Sequence, residues 1–248
     1  MGNTARFDSN NYIFNPNSKK GVYIIHGFSS STYEVRGLAE FLGNNGYHAI
    51  AKNLPGHGTT PEECNRVKYQ MWIEHVTQDI ANLISISKKT YVIGCSMGSN
   101  LALYLSSMFP LDGCIVGGTV LKFNNPFTIH ILIPLLCKAL KFSKKEFKDK
   151  SKRKFYGYKS YPLIALNEMR KLNNMIIKKL PKVTSPLLII HSKSDMMSLE
   201  KNVDLVYNKA QSKIKEKFFV KNAHHNLFDE NEDQKKIFDE VFNFITKH

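Results

Sequence analysis

Short apolar runs at residues 22–25, 48–51, 90–94, 114–120, 186–191 and 217–220 punctuate the chain, and stretches with helical spacing of apolar positions separate most of them. Runs this short and continuous predict strands buried on both faces, and their alternation with helices predicts a mostly parallel sheet flanked by helices. Val35, Leu38, Ala39 and Leu42 form one helical stripe, closed near Gly43 and Gly46. Ile73, Val76, Ile80, Leu83 and Ile84 form a second, and Ile237, Val241, Phe244 and Ile245 a third. The last follows the acidic stretch 229–233, whose charge suits a helix N-terminus.

The alternation breaks for about sixty residues between 120 and 186, too long for a plain connection in a compact domain. Residues 1–120 and 181–248 are therefore expected to form an α/β core, with 121–180 inserted as a helical cap. The first part of the insertion, 126–142, is strongly apolar but shorter than the roughly 20 residues a membrane span needs, and it contains His130 and Pro134. Proline suits a first helical turn, so a helix opening at Pro134 is expected to lay Leu135, Leu136, Ala139 and Leu140 over an apolar pocket. Leu135, Leu136 and Leu140 are thus the candidate substrate-binding residues. A second stripe, Leu163, Leu166, Met169, Leu172 and Ile176, leads back to the sheet.

Gly94-Cys95-Ser96-Met97-Gly98 lies between the apolar run 90–94 and a helical pattern carrying Leu101, Leu105 and Met108. A serine at such a strand–turn–helix elbow is pushed out above the sheet, which makes Ser96 a candidate nucleophile and the N–H of Met97 a candidate oxyanion donor. A serine hydroxyl is a weak nucleophile at neutral pH and needs a histidine base oriented by a carboxylate. In elbow enzymes these follow in the order Ser, Asp or Glu, His. Asp195 stands in the polar loop after the run 186–191, and His224 and His225 stand after the run 217–220. Either histidine fits the base. Residues 121–125 hold no carboxylate, and Glu200 and Asp204 lie on a helix-like segment and read as surface groups. His26 and His57 lie in loops on the same rim and read as structural, and Cys95 as a small residue packed behind the elbow.

With these residues in view the chain resembles the α/β-hydrolase carboxylesterases and monoacylglycerol lipases of bacteria. The likeness spans nearly the whole length: Ile25-His26-Gly27-Phe28, Leu54-Pro55-Gly56-His57-Gly58, the elbow at Ser96, the loop Ser194-Asp195-Met196-Met197, and His224 five residues before Asp229. In that family the catalytic histidine precedes an apolar stretch ending in Asp, which implies His224 as the base. Where the family has a small residue and Gly before that histidine, this chain has Asn222 and Ala223. The resemblance further implies Phe28 as the second oxyanion donor and acyl esters, such as monoacylglycerols or short- to medium-chain esters, as substrates, with no cofactor. A thioesterase or acyltransferase would use the same residues, and a non-catalytic scaffold of this fold would ordinarily lack one of them.

Composition adds limits. Hydrophobic content of 42% with 23% charged residues is ordinary for a globular protein. The net charge of +14 would suit nucleic acid, but no nucleic-acid-binding motif accompanies it. The charge concentrates in 138–154, which reads as a solvated face, with peripheral contact to an anionic membrane as the functional alternative. Cys64, Cys95, Cys114 and Cys137 have neither disulfide-framework nor zinc-site spacing, as expected of reduced thiols. The polar first twenty residues hold no apolar secretory segment, and Arg6 stands where an acylation signal wants Ser or Thr. A cytoplasmic location is expected.

Overall fold

The predicted strands pair in one seven-stranded sheet, completed by an edge strand the sequence did not announce. The computed structural model describes residues 9–145 and 157–248. In chain order the elements are β1 (Tyr12–Phe14), β2 (Lys20–Ile25), α1 (Arg36–Asn44), β3 (His48–Ala51), α2 (Pro61–Cys64), α3 (Tyr69–Ile86), β4 (Lys89–Cys95), α4 (Met97–Ser106) and β5 (Gly113–Gly117). There follow α5 (Ile133–Leu136), β6 (Phe142–Lys144), β7 (Ser160–Pro162), α6 (Leu163–Lys179), β8 (Leu187–Ser192), α7 (Lys201–Lys209), β9 (Lys215–Val220) and α8 (Gln234–Lys247). The sheet order is β1-β3-β2-β4-β5-β8-β9, all parallel except β1, which pairs antiparallel with β3.

Successive strand residues point to opposite faces, so each apolar run feeds two cores. Val22, Ile24, Tyr91, Ile93, Ile115, Leu188 and Ile190 pack against α1 and α8, through Leu38, Leu42, Ile237, Val241 and Phe244. Tyr23, Ile25, Val92, Cys114, Val116, Leu187 and Ile189 pack on the other face against α3, α4, α6 and α7. This double burial explains why the strands read as continuous apolar runs. Each fully buried Leu, Ile, Val or Phe contributes about 1.5–3 kcal/mol, and these faces supply most of them. β5 ends at Gly117, short of the expected 120, because Gly118 turns the chain with φ +58°.

The region 121–180 divides in its packing. Met169, Leu172 and Ile176 of α6 are buried in the main core beside α3 and α4, so the second stripe belongs energetically to the sheet. The first part is a turn of π-helix, Thr128–Leu132, continued by α5, with Pro134 in its first turn. Its inward residues are Ile129, Ile133 and Cys137, spaced by four and packed with Leu163 and Leu166. That stripe turns Leu135, Leu136 and Leu140 outward, at 60%, 40% and 54% exposure, where the sequence reading expects them to cover an apolar pocket. β6 and β7 pair as a small antiparallel sheet. The basic run 138–154 is described only as far as Lys145; its remainder, like the N-terminal segment 1–8, lies outside the described residues. Among the described residues no helix is long and apolar enough to cross a membrane.

Candidate active site

The C-terminal ends of β2, β4, β8 and β9 meet at one edge of the sheet, and each delivers one part of the site. β4 runs into Ser96, whose φ of +54° is the left-handed conformation a serine rarely adopts. The turn needs its glycines: a Cβ on Gly94 would run into the carbonyl of Gly98, and one on Gly98 into the carbonyl of Ile25. Ser99, one turn into α4, locks the elbow to β5, because its hydroxyl lies 2.8 and 2.7 Å from the carbonyls of Gly94 and Gly117, sharing its one proton between them, and accepts the Gly117 N–H at 3.0 Å. Met97 opens α4, so its N–H points out of the helix N-terminus beside Ser96.

Asp195 follows β8. Its Oδ1 accepts the N–H groups of Met197 and Ser198 at 2.7 and 2.9 Å, which leaves Oδ2 for the base. The histidine that meets it is His225, whose Nδ1 lies 2.8 Å from Asp195 Oδ2 and whose Nε2 lies 2.8 Å from Ser96 Oγ. The structure thus brings Ser96 and Asp195 together and corrects the choice between the two histidines: His224 is exposed and points away. The reason is the anchoring of the loop after β9. Asp233 Oδ2 accepts the N–H groups of Lys221 and Asn222 at 3.1 and 2.7 Å, and the Ala223 carbonyl accepts the Ser192 hydroxyl. Ala223 is therefore buried, residue 224 faces out and residue 225 faces in. Sequence reasoning missed Asp233, read as a helix-start charge, and the small apolar Ala223 was the available sign of the inward register.

Electrostatics suit a base awaiting a proton. Burial presses the His225 pKa down, but the hydrogen bond and charge of Asp195, joined by the charge of Glu34, more than offset this and raise it above 6.5. Burial in turn pushes Asp195 up, while the His225 hydrogen bond and charge, with the two N–H donors, hold it below the usual carboxylate range. Cys95 is fully buried and its thiol is pushed well above 9, chiefly by burial, so it is no competing nucleophile. His26 and His57 are driven neutral, to about 4 and about 3, first by burial. His26 Nε2 accepts the Leu54 N–H at 3.0 Å, and His57 packs against Phe28 and Trp72, so both build the rim. Asp204 is surface-exposed and paired with Lys217.

The loop after β2 carries Phe28 beside the elbow, its Gly27 approaching Ser96 closely. The next residue, Ser29, is gripped from the insertion: Lys145 Nζ donates to its hydroxyl at 2.7 Å and the Tyr158 N–H to its carbonyl at 3.0 Å.

Comparison with known proteins agrees with this fold. The chain is 27% identical over 242 residues to the thermostable monoacylglycerol lipase of Bacillus sp. (strain H-257), covering 94% of this chain and 92% of that one. It is 21% identical to a carboxylesterase of Bacillus subtilis (strain 168), over 92% of this chain and 93% of the relative. A solved structure of a metagenome-derived lipolytic enzyme superposes with a TM-score of 0.88 at 26% identity, covering 97% and 98% of the two chains. The monoglyceride lipase of Saccharomyces cerevisiae, at 17% identity, shares the fold with a TM-score of 0.78 over 96% of this chain and 91% of that one. The model of the family described as Serine aminopeptidase, S33, matches residues 16–232, and the chain belongs to that α/β-hydrolase family.

Proposed function

We propose that the protein is a serine carboxylic-ester hydrolase acting on monoacylglycerols or on short- to medium-chain acyl esters. The observation that carries this reading is the continuous relay Asp195–His225–Ser96, two 2.8 Å hydrogen bonds ending on a serine in a strained elbow. Ser96 Oγ attacks the ester carbonyl carbon as its proton passes to His225 Nε2, and the carbonyl electron pair moves onto oxygen. The N–H groups of Met97 and Phe28 are the donors this reading assigns to that oxyanion. Collapse of the tetrahedral intermediate expels the alcohol, which leaves with the proton from His225. Water then attacks the acyl carbon as it gives a proton to His225, and His225 returns that proton to Ser96 Oγ as the acyl–oxygen bond breaks, releasing the carboxylic acid and free Ser96. Asp195 holds the imidazole with Nδ1–H toward itself, so Nε2 is the basic atom. Similarity to relatives named monoacylglycerol lipase and carboxylesterase supports the ester class.

The grip of Lys145 and Tyr158 on Ser29 supports reading the insertion as a cap beside the site. Phe127, Ile131, Leu135 and Leu140 of that segment are exposed, and the Asn124 side chain donates to the Met196 carbonyl, bringing 81%-exposed Met196 alongside. With exposed Lys138 and Lys141 among them, this face suits peripheral contact with an anionic lipid surface, where such esters reside. The buried or half-buried free thiols fit a reducing compartment, the cytoplasm. A fluorophosphonate probe should label the wild type and not Ser96→Ala, and the variant should lose turnover of p-nitrophenyl butyrate while keeping its melting transition. Ester turnover surviving in Ser96→Ala would overturn the assignment.

A further inference from the structure

The loop after β2 is held from behind by a carboxylate that no step above employs. Glu34 ends a 3₁₀ turn, Thr32–Glu34, and is 2% exposed. Its Oε2 accepts the Gly27 N–H at 2.6 Å, one residue before the Phe28 donor. A Cβ built on Gly27 would lie 3.1 Å from that oxygen and 3.2 Å from Ser96 Cβ, so the carboxylate stands just across the loop from the nucleophile. Its other oxygen, Oε1, lies 3.8 Å from the thiol of Cys95, the residue before Ser96. Cys95 Sγ in turn lies 3.9 Å from the carbonyl of His225. One buried carboxylate thus touches the oxyanion loop and the elbow directly, and reaches the histidine loop through one side chain.

We propose that Glu34 is a positioning residue for ester hydrolysis: its carboxylate fixes the His26–Gly27 peptide, and through it the path of the adjoining residue, so that the Phe28 N–H meets the oxyanion, and its charge favours the imidazolium that His225 becomes on taking the serine proton. This rests on the ester-hydrolase reading above. A structural contact to one N–H could be made by a neutral acceptor, whereas a buried carboxylate carries a large desolvation cost that needs a compensating positive charge. His225 supplies that charge in the transition state. Burial holds Glu34 above the usual carboxylate range, and the Gly27 N–H and the charge of His225 act against that rise. Asp195 and His191 face His225 from the β8 end, while Cys95 from the elbow, Asp229 from the histidine loop and Lys145 from the insertion face Glu34. Of these, Asp195 and Glu34 are the anions that raise the base.

Two variants separate the roles. Glu34→Gln keeps the shape and an acceptor for Gly27 but removes the charge, and Glu34→Ala removes both. Active sites are counted by fluorophosphonate titration, folding is checked by thermal melting, and kcat and KM for p-nitrophenyl butyrate are measured from about pH 5 to about pH 9. For Glu34→Gln the acid limb of kcat/KM should move about half a unit or more to lower pH, because the imidazolium loses a neighbouring anion, and plateau kcat should fall several-fold. For Glu34→Ala kcat should fall about tenfold or more at little-changed KM, as expected when an oxyanion donor is displaced. An acid limb unmoved in Glu34→Gln, or an unchanged kcat in folded Glu34→Ala, would overturn the proposal. Should Glu34→Ala not fold, the Glu34→Gln profile decides alone. A wild type that neither labels nor turns over ester refutes the ester-hydrolase reading itself, a result distinct from a fully active wild type with indifferent Glu34 variants.

Discussion

His225 spends both ring nitrogens on the relay, so a single ring orientation satisfies Asp195 and Ser96 together. His225→Ala should therefore lower kcat/KM by about 10⁴ to 10⁶, the scale on which triad members act, whereas exposed His224→Ala should stay within about threefold. Steady-state kinetics on both variants decides, and the reverse pattern would show that the loop takes another register in solution. The pH dependence follows from the sign of the shift. His225 must be neutral to accept the serine proton, and its pKa is raised above 6.5, so kcat/KM should climb through a midpoint above 6.5 and fall away in acid. An acid limb centred below that value would contradict the electrostatics described.

Among the elements, α6, expected from the sequence as part of an inserted cap, packs in the core. Asn173 on α6 donates to the Val120 and Leu121 carbonyls at 2.7 and 3.2 Å, and its Oδ1 accepts from Asn100 of α4 at 2.8 Å. All of this is buried, so Asn173→Leu strands several polar groups and should cost about 3 kcal/mol in urea unfolding. Leu135→Ala, on the exposed face, should change stability by less than about 0.5 kcal/mol; equal losses would mean that the two halves of the insertion pack alike. The same contrast explains what could be read from sequence. Strands β2, β3, β4, β5 and β8 were legible because burial on both faces demands continuous apolar runs, and the half-buried edge strand β9 through its Phe218-Phe219-Val220 run. Three-residue β1, with exposed Ile13 on a sheet edge, left no such mark, nor did the β6–β7 pair inside a lysine-rich stretch. Ser96 and Asp195 were legible because each directly follows a strand of that kind. The histidine was legible only to within one position, because Asp233 and Ser192, remote in sequence, set which residue of its loop faces inward.

Over the whole molecule, the proposed membrane contact has the excess of positive charge and the outward leucines act together. Wild type should co-sediment with phosphatidylglycerol vesicles and be released by salt, since surface attraction is screened within about 10 Å at 0.1 M ionic strength. Leu135→Asp should weaken that binding about tenfold, from the apolar burial lost, while turnover of short soluble esters continues. Unchanged vesicle binding with a raised KM for long soluble esters would instead return these leucines to an acyl pocket. The left-handed backbone at Ser96 has a wider consequence. A non-glycine residue held there costs roughly 1–3 kcal/mol, a sizeable share of the 5–15 kcal/mol by which domains of this kind are stable. Selection for heat resistance alone would reward glycine at position 96, and the lineage it favoured would keep the fold and lose the chemistry. Durability and turnover are opposed at that single residue, so gains in one without loss of the other have to come from the two cores that flank the sheet.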